Sequence, residues 1–566
     1  MSLTIASISF GLYYPTLARS IFLEDSAEFI TASHTLSIAH PSGYPLYLLS
    51  TKLISLIPFL PTIVERVNFV SLFWAVLAVL GLYFCLSKLY KKTIAWSLSL
   101  LFAITPLVWQ QATYAEVYSL NTFFLVLLFW LYLRYHAQPS HKRLYLLIFI
   151  YGLSLTNHYL PLVLAPLTIL FLWQKLKSVR HPELVEGSNG STQRFLDRLG
   201  MTALKLFGFF LLGLLPYLYI PIRNAMHPAF SWFSGDITKM LSYNIAYGHQ
   251  ISGSTLRYFF DVIQTIVQSF GWLGLALALG GALFMALHKY YLRYLVIIGS
   301  LLFGVIMIIA LVGGQGYTIF ASQFYKTLHV PILLITIISI GYFLQQTHDR
   351  GYKYKLFYPL LFLLFLLPAT NLGDTFFQND RSKYIFLENY SRQLLLSLPP
   401  DATLFVHHDH IMNDALVFSL GYQKFVQSLR PDVKIYSLTP VFPPPPDFPI
   451  VELKNAGTQK LKVLENYLKN NPGRFGNYFT TWPQADNMAN NFIYAPDNLY
   501  LPATNDNLYA KSLLAKYYYD QALRLFQNNK IKSGQWFLVQ AIQYDPEEFS
   551  DYYYSITALR DKYLKH

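Results

Sequence analysis

Residues 67–87 read VNFVSLFWAVLAVLGLYFCLS, and residues 88–92 read KLYKK. The first run carries no charged side chain; the second supplies Lys88, Lys91 and Lys92. A transmembrane helix needs about 20 predominantly apolar residues, and lysines gather at its cytoplasmic end. The pair therefore reads as a membrane span that finishes inside the cell.

Composition extends that reading to the whole chain. Of 566 residues, 54% are hydrophobic and 13% are charged, against about 25% charged in ordinary soluble proteins. Mean hydropathy is +0.33, which excludes a soluble globular protein. Aromatic residues make up 17%, suiting rings that sit at a bilayer surface. Cys85 is the only cysteine, so an intramolecular disulfide and a cysteine zinc site are excluded.

Hydropathy predicts about eleven spans. They fall near 2–14, 67–87, 94–109, 117–133, 144–157, 159–174, 202–222, 262–287, 294–312, 328–345 and 356–371. The first is short and lacks the features of a signal peptide, so it reads as a clipped first helix. Lys and Arg cluster after spans two, four, six, eight and ten, at Lys88, Arg134, Lys175, Lys289 and Arg350 among others. These sites alternate, so all lie on one face, which the positive-inside rule makes cytoplasmic. The net charge of +13 is then topological and does not call for nucleic acid. The loops 15–66, 110–116, 157–159, 223–261 and 313–327, and everything after 372, are expected outside.

After the last span polarity becomes ordinary, and 372–511 is expected to form a soluble α/β domain outside the cytoplasm. Strand-like runs at 403–407 and 433–438 flank a helical stretch at 411–428, a βαβ-like unit. Ala522, Gly534, Leu538, Ala541 and Pro546 have the spacing of one tetratricopeptide repeat, so 512–566 is expected to be a helical hairpin docked on the domain before it. The predicted fold class is mainly α, a polytopic helix bundle over 1–371 with this outer unit attached.

The first outer loop is richest in candidate chemistry. Glu24, Asp25 and Glu28 lie within one turn directly after an apolar helix. Asp25 and Ser26 can cap the next helix with Glu28 in its first turn; alternatively, a partly desolvated carboxylate here can act as general base. His40, Pro41, Ser42, Gly43, Tyr44 and Pro45 force a rigid turn, which accounts for the prolines and glycine but not for the imidazole and phenol. Glu116 and His158 stand in outer connections at membrane depth, where ionisable groups usually face a cavity or a partner; a helix N-terminal carboxylate and a tight turn are the plain readings. Arg223 closes span seven, placed to pair with a phosphate or to snorkel. Asp236, in the WFSGD turn, is a weaker candidate. No nucleotide-binding glycine loop, zinc-protease motif or serine-hydrolase elbow is present.

The segments TLARSIFLEDSAEFITASHTLSIAHPSGYPLY (16–47) and ERVNFVSLFWAVLAV (65–79) closely resemble the start of a family of multi-pass membrane proteins related to protein O-mannosyltransferases, within the GT-C glycosyltransferase superfamily. The likeness continues through QATYAEVYSLN (111–121), GLSLTNHYL (152–160), YLYIPIR (217–223), WFSGD (232–236) and the outer segment 405–438. Glu24 and Ala27 stand where the family pattern has glycine, Ser42 where it has proline, and His408, Asp409 and His410 where it has a DND-like turn; that outer turn is given no role.

The resemblance implies a GT-C-like bundle that transfers a sugar, with mannose as the named candidate, from a polyprenyl-phosphate donor to an exported protein or glycan. It implies Asp25 and Glu28 as catalytic residues, Asp25 orienting or deprotonating the acceptor hydroxyl. It implies His40, Tyr44, Arg66, Asn68, Glu116, His158, Arg223 and Asp236 as substrate-binding. No metal ligand set is assigned, although Asp25 and Glu28 could hold Mg²⁺ or Mn²⁺. A bacterial inner membrane with the C-terminal domain outside is the expected location. The competing readings are a transporter or flippase of lipid-linked sugars, and a silent assembly protein that recruits a partner through its terminal hairpin.

Overall fold

Helix α4 (Ile63–Leu89) contains the run that opened the reading. It starts where a capping box forms: Thr62 accepts the Glu65 N–H, and the Glu65 carboxylate accepts the Thr62 N–H. Two orphan donors are thereby satisfied at one stroke. The helix ends just past Lys88, where Tyr90 turns extended.

In this computed structural model the described residues are 1–23, 25–169, 189–232, 255–287, 299, 326–350, 357–406, 411–437, 441–442, 445, 447–448, 457–471, 473–475, 478–480, 508–544 and 553–564. The expected span at 294–312, Glu24, Asp236 and the turn 408–410 lie outside them.

Around α4 stand α1 (Ser2–Tyr13), α5 (Lys92–Ala103), α6 (Pro106–Ala112), α7 (Tyr118–Ala137) and α8 (His141–Leu155). Among the described residues four helices are long and apolar enough to cross a membrane: Ile63–Leu89, Tyr118–Ala137, Phe259–Leu287 and Thr327–Asp349. Three further helix pairs meet the same length and composition test together but are bent at a short break. Lys92–Ala103 bends by 65° into Pro106–Ala112, Met201–Gly213 by 49° into Leu215–Ala225, and Tyr358–Thr370 by 43° into Leu372–Asn379. Among the described residues this makes four spanning helices, or up to seven with each bent pair taken as one; the eleven expected from hydropathy include stretches outside those residues. Two shorter apolar helices, Ser2–Tyr13 and Leu160–Ile169, accompany them. This is a multi-pass membrane protein.

Prolines explain two of the breaks, since Pro106 and Pro216 each open the second segment and cannot donate to the turn before them. Helix Thr255–Leu287 is interrupted at Gly271, whose φ of 69° suits glycine. Gly152 on α8 and Gly213 let two helices cross at backbone distance: a Cβ on Gly213 would lie 2.3 Å from the Phe149 carbonyl oxygen. Such small-residue crossings are characteristic of membrane bundles.

The polar C-terminal part holds a parallel three-stranded sheet in the order β2-β1-β3, with β1 Thr403–Val406, β2 Lys434–Ser437 and β3 Tyr478–Thr480. Helix Ile411–Phe425 connects β1 to β2, the crossover that parallel pairing requires. Helices Leu508–Gln527 and Ile531–Tyr544 pack as a hairpin around Ala515, Ala522, Leu538 and Ala541.

Packing does not follow the polarity change near 371. One core lies inside the bundle. A second joins buried residues of the first outer loop, such as Ile21 and Phe29, to Trp232 and to Phe386, Phe418 and Leu514 of the C-terminal part. The segment between α1 and α4 is thus wedged between bundle and C-terminal part, and the candidate site sits in that wedge.

Candidate active site

The chain leaving α1 crosses to α2 (Ser26–Thr35) along residues 16–25. Its backbone is held by Asn68, which is fully buried. The Asn68 amide donates to the carbonyls of Ala18 (2.8 Å) and Ser20 (3.3 Å), and its oxygen accepts the Ala115 N–H at 2.9 Å. The C-terminal part adds two bonds: the Arg381 backbone N–H donates to the Thr16 carbonyl, and the Glu388 carboxylate accepts from the Ser20 hydroxyl. Asp25 emerges from this clamp at the N-cap of α2, but its side chain makes no capping bond. The plain capping reading therefore fails for Asp25, whose carboxylate is turned to other partners.

One of those partners is His40. Its Nε2 lies 3.8 Å from Asp25 Oδ2, and both side chains keep some exposure, 21% and 24%. On its other side His40 meets Glu28, a fully buried carboxylate. Oε1 of Glu28 accepts the His40 backbone N–H at 2.8 Å, and Oε2 accepts from Nδ1 at 2.6 Å. A carboxylate can only accept, so the proton sits on Nδ1. Nε2 then takes the Tyr44 hydroxyl at 2.8 Å.

Local sequence makes this possible. Gly43, at φ 80°, and Tyr44, at φ 43°, reverse the chain, with the Gly43 N–H on the His40 carbonyl. Pro45 then opens α3 (Pro45–Ser55), where its fixed φ is already helical.

Aromatic rings enclose the imidazole. The Tyr44 ring is 4.8 Å from His40 and stacks on His158 at 6.0 Å; the Trp232 ring meets His40 edge-on at 6.1 Å. Phe418 of helix Ile411–Phe425 lies 6.4 Å from Trp232, so the C-terminal part forms part of the wall. His158 Nδ1 accepts the Leu160 N–H at 2.9 Å, and burial, helped by the nearby His40, pushes its pKa down to about 3. It is a neutral ring. Burial, followed by neighbouring tyrosines and carboxylates, raises the Tyr44 phenol well above its usual value, leaving it a hydrogen-bond donor.

The remaining described candidates make other contacts. Buried Glu116 accepts the Val117 N–H at 3.3 Å beside the start of α7. Arg66 donates to the Ser55 and Thr62 carbonyls, joining the end of α3 to the start of α4. Arg223 gives N–H groups to the carbonyls of Leu36 and Thr35 and to the Met226 thioether. Cations suit a helix C-terminus, and Arg223 grips that of α2. The structure therefore brings together Asp25, Glu28, His40, Tyr44 and His158, while Asn68 bonds the backbone of Ala18, Ser20 and Ala115, Arg66 that of Ser55 and Thr62, and Arg223 that of Thr35 and Leu36. Trp232 and Tyr118, whose ring is 5.5 Å from His158, were not singled out from the sequence; aromatics flanking a lone histidine in an outer loop were the available signal.

Asp25, Glu28 and His40 also form the one group among the described residues that could hold a metal ion, each offering one atom within 4.8 Å of the others. Glu28 already binds Nδ1 of His40 and the Tyr44 hydroxyl meets Nε2, so an ion on Nε2 and the Asp25 carboxylate would have to displace the Tyr44 hydroxyl. A carboxylate behind a histidine is the usual support for a ligating imidazole.

Residues 25–181 match the family model described as "Protein O-mannosyl-transferase TMEM260 N-terminal domain". The protein O-mannosyl-transferase TMEM260 of Mus musculus is 36% identical over 232 residues, covering 40% of this chain and 30% of the mouse protein. The Dictyostelium discoideum protein O-mannosyl-transferase tmem260 is 24% identical over 483 residues, covering 75% of this chain and 56% of that protein. The chain thus spans about a third to a little over half the length of these curated relatives. Among solved structures, an Archaeoglobus fulgidus oligosaccharyltransferase crystallised with Zn and sulfate is 14% identical with a TM-score of 0.47, over 74% of this chain and 61% of that one. ArnT from Cupriavidus metallidurans in the apo state is 12% identical with a TM-score of 0.46, over 74% and 83%. The resemblance read from the sequence is thus to the TMEM260 O-mannosyltransferase family.

Proposed function

We propose that this chain is a membrane glycosyltransferase that moves a sugar, with mannose the first candidate, from a polyprenyl-phosphate donor to a hydroxyl of an exported protein or glycan. The observation that carries the reading is the Asp25–His40–Glu28 constellation, which lies within the segment matched to the O-mannosyltransferase family. The outer face of a membrane, bacterial or equivalent, is the proposed place of reaction. The units 1–371, 372–511 and 512–566 are the proposed division of labour, the first carrying the chemistry.

In this proposal Asp25 takes the proton of the acceptor hydroxyl as its oxygen attacks the anomeric carbon. The bond from that carbon to the phosphate oxygen breaks, and polyprenyl phosphate leaves. The leaving group is already a good anion, so positive charge and donors serve it better than a strong acid. His40, when it takes up a proton, lies between two carboxylates that stabilise it; His158 offers a neutral Nε2–H. Arg223 supplies nearby positive charge while it anchors α2, and Tyr44 holds the His40 ring. Glu28 acts through His40 by fixing its tautomer. Glu116 and Asp236 remain candidates for sugar hydroxyls. A divalent cation would be held by Asp25 and His40 Nε2 with Glu28 behind, where it would neutralise phosphate charge.

The test uses purified protein in lipid vesicles with a panel of polyprenyl-phosphate sugars and a mixed peptide and glycan pool, read by mass spectrometry. Transfer by wild type and its loss in Asp25→Asn, with the protein still folded, is the expected result. Movement of donor across the bilayer with no glycosidic bond formed would replace this reading with transport. Loss of transfer on chelation, restored by Mn²⁺, would make Asp25 a ligand before a base.

A further inference from the structure

The first outer loop ends in the stretch LISLIPFL, residues 53–60. Four of its large apolar side chains stand out of the fold: Leu53 is 67% exposed, Leu56 62%, Ile57 59% and Phe59 41%. A contiguous exposed apolar patch marks a partner or a membrane.

Its neighbours decide between them. The Phe59 ring packs edge-on against Phe69 of α4 at 4.8 Å, and Phe69 meets Phe10 of α1 at 6.4 Å. Phe10 stacks on Tyr14 at 5.3 Å. The apolar helices α1 and α4 themselves expose Leu3, Ile8, Phe10, Phe73 and Phe84, the surface that lipid covers in a multi-pass protein. The patch continues that surface through the packed rings Phe59, Phe69, Phe10 and Tyr14. The flanking cations are engaged with the backbone: Lys52 Nζ donates to the His34 carbonyl at 2.5 Å and Arg66 to the Ser55 carbonyl at 2.8 Å. Attraction therefore comes from apolar side chains and not from charge on headgroups.

We propose that residues 53–60 form a wedge inserted into the adjoining leaflet, so that the bilayer grips one end of α3 while the other end presents Tyr44 to His40. An interfacial segment of this kind sits about 5–10 Å into the headgroup and acyl boundary. The inference concerns lipid contact alone and stands whether or not the sugar-transfer reading holds.

The single cysteine makes the experiment clean. In the full chain with Cys85→Ala, Ile57→Cys carries an environment-sensitive fluorophore, and the protein is reconstituted in phosphatidylcholine vesicles. Lys462→Cys, on an exposed position of helix Gly457–Asn470, is the aqueous control. Nitroxide placed high on the lipid acyl chain is expected to quench the Ile57 label severalfold more than the control, and aqueous iodide severalfold less. Leu56→Cys repeats the measurement should Ile57→Cys fail to fold. Iodide quenching equal to that of Lys462 overturns the wedge in favour of a water-exposed loop. Protection from both quenchers overturns it in favour of a covering protein, a second copy included.

Discussion

The turn at 40–45 and the connection at 156–159 deliver two histidines into one aromatic box, with opposite electrostatic fates. His40 is partly exposed and stands between Glu28, at 2.6 Å, and Asp25, at 3.8 Å. His158 is fully buried, bonded to a backbone N–H and stacked on Tyr44 and Tyr159, with a pKa near 3. Tyr44 touches both rings. Carboxylates lie within reach of His40, whereas His158 meets a backbone N–H and rings; the proposal puts proton movement on the 40–45 side and neutral donation on the 156–159 side.

The comparison breaks first at Asp25. General-base catalysis contributes about 10²–10⁴-fold, and Asp25→Asn is expected to lose transfer by that order with donor binding retained. His158→Gln keeps a neutral donor and should lose far less. Equal losses in a transfer assay would erase the distinction between the two sides.

The next largest effect is on stability. Asn68→Leu keeps volume but orphans the Ala18 and Ser20 carbonyls and the Ala115 N–H. Each buried unsatisfied group costs about 1–3 kcal/mol, so thermal denaturation in detergent should fall by many degrees. An unchanged midpoint would mean that the 16–25 segment is held chiefly by Arg381 and Glu388 of the C-terminal part.

Acid should then separate the two histidines. His158 is neutral in the folded protein down to about pH 3, whereas its unfolded pKa is about 6.5. Between those values the unfolded chain binds the extra proton, so stability rises with pH, by at most about 1.4 kcal/mol per pH unit from this group. Wild type should therefore lose thermal stability as pH falls below about 6.5, and His158→Gln should lose less. Parallel losses in the two proteins would show that His158 is not the group held neutral.

What could be read in the sequence follows from what each signal depends on. Apolar runs predicted the helices, because hydropathy is a local property; the bends at Pro106 and Pro216 were harder to read, since a proline is compatible with a kink or with a stop. The strand-helix-strand order over 403–438 was visible for the same local reason. Asp25, His40 and Tyr44 stood out because a rigid turn does not require an imidazole or a phenol. The roles of Asn68, Arg66 and Arg223 were not legible. Each bonds carbonyls that are distant in sequence or lie on a neighbouring helix, and a motif match cannot separate a residue that touches substrate from one that holds the backbone. The junction of Trp232 with Phe418 was hidden for the same reason.

Arg66 gives the smallest and most discriminating test of that distinction. Its guanidinium donates to the Thr62 carbonyl at 3.2 Å, at the capping box where Thr62 and Glu65 exchange bonds and Arg19 approaches Glu65 at 3.6 Å. Loss of such a cap costs about 0.5–2 kcal/mol. Thr62→Ala should lower the denaturation midpoint slightly and leave sugar transfer intact, while Thr62→Ser, which keeps the oxygen, should restore stability. The α4 entry would then serve only to set the register that brings Asn68 under Ala18. A fall in transfer approaching that of Asp25→Asn, at an unchanged midpoint, would instead place the Arg66 end of α4 against the substrate, as the family match alone implied.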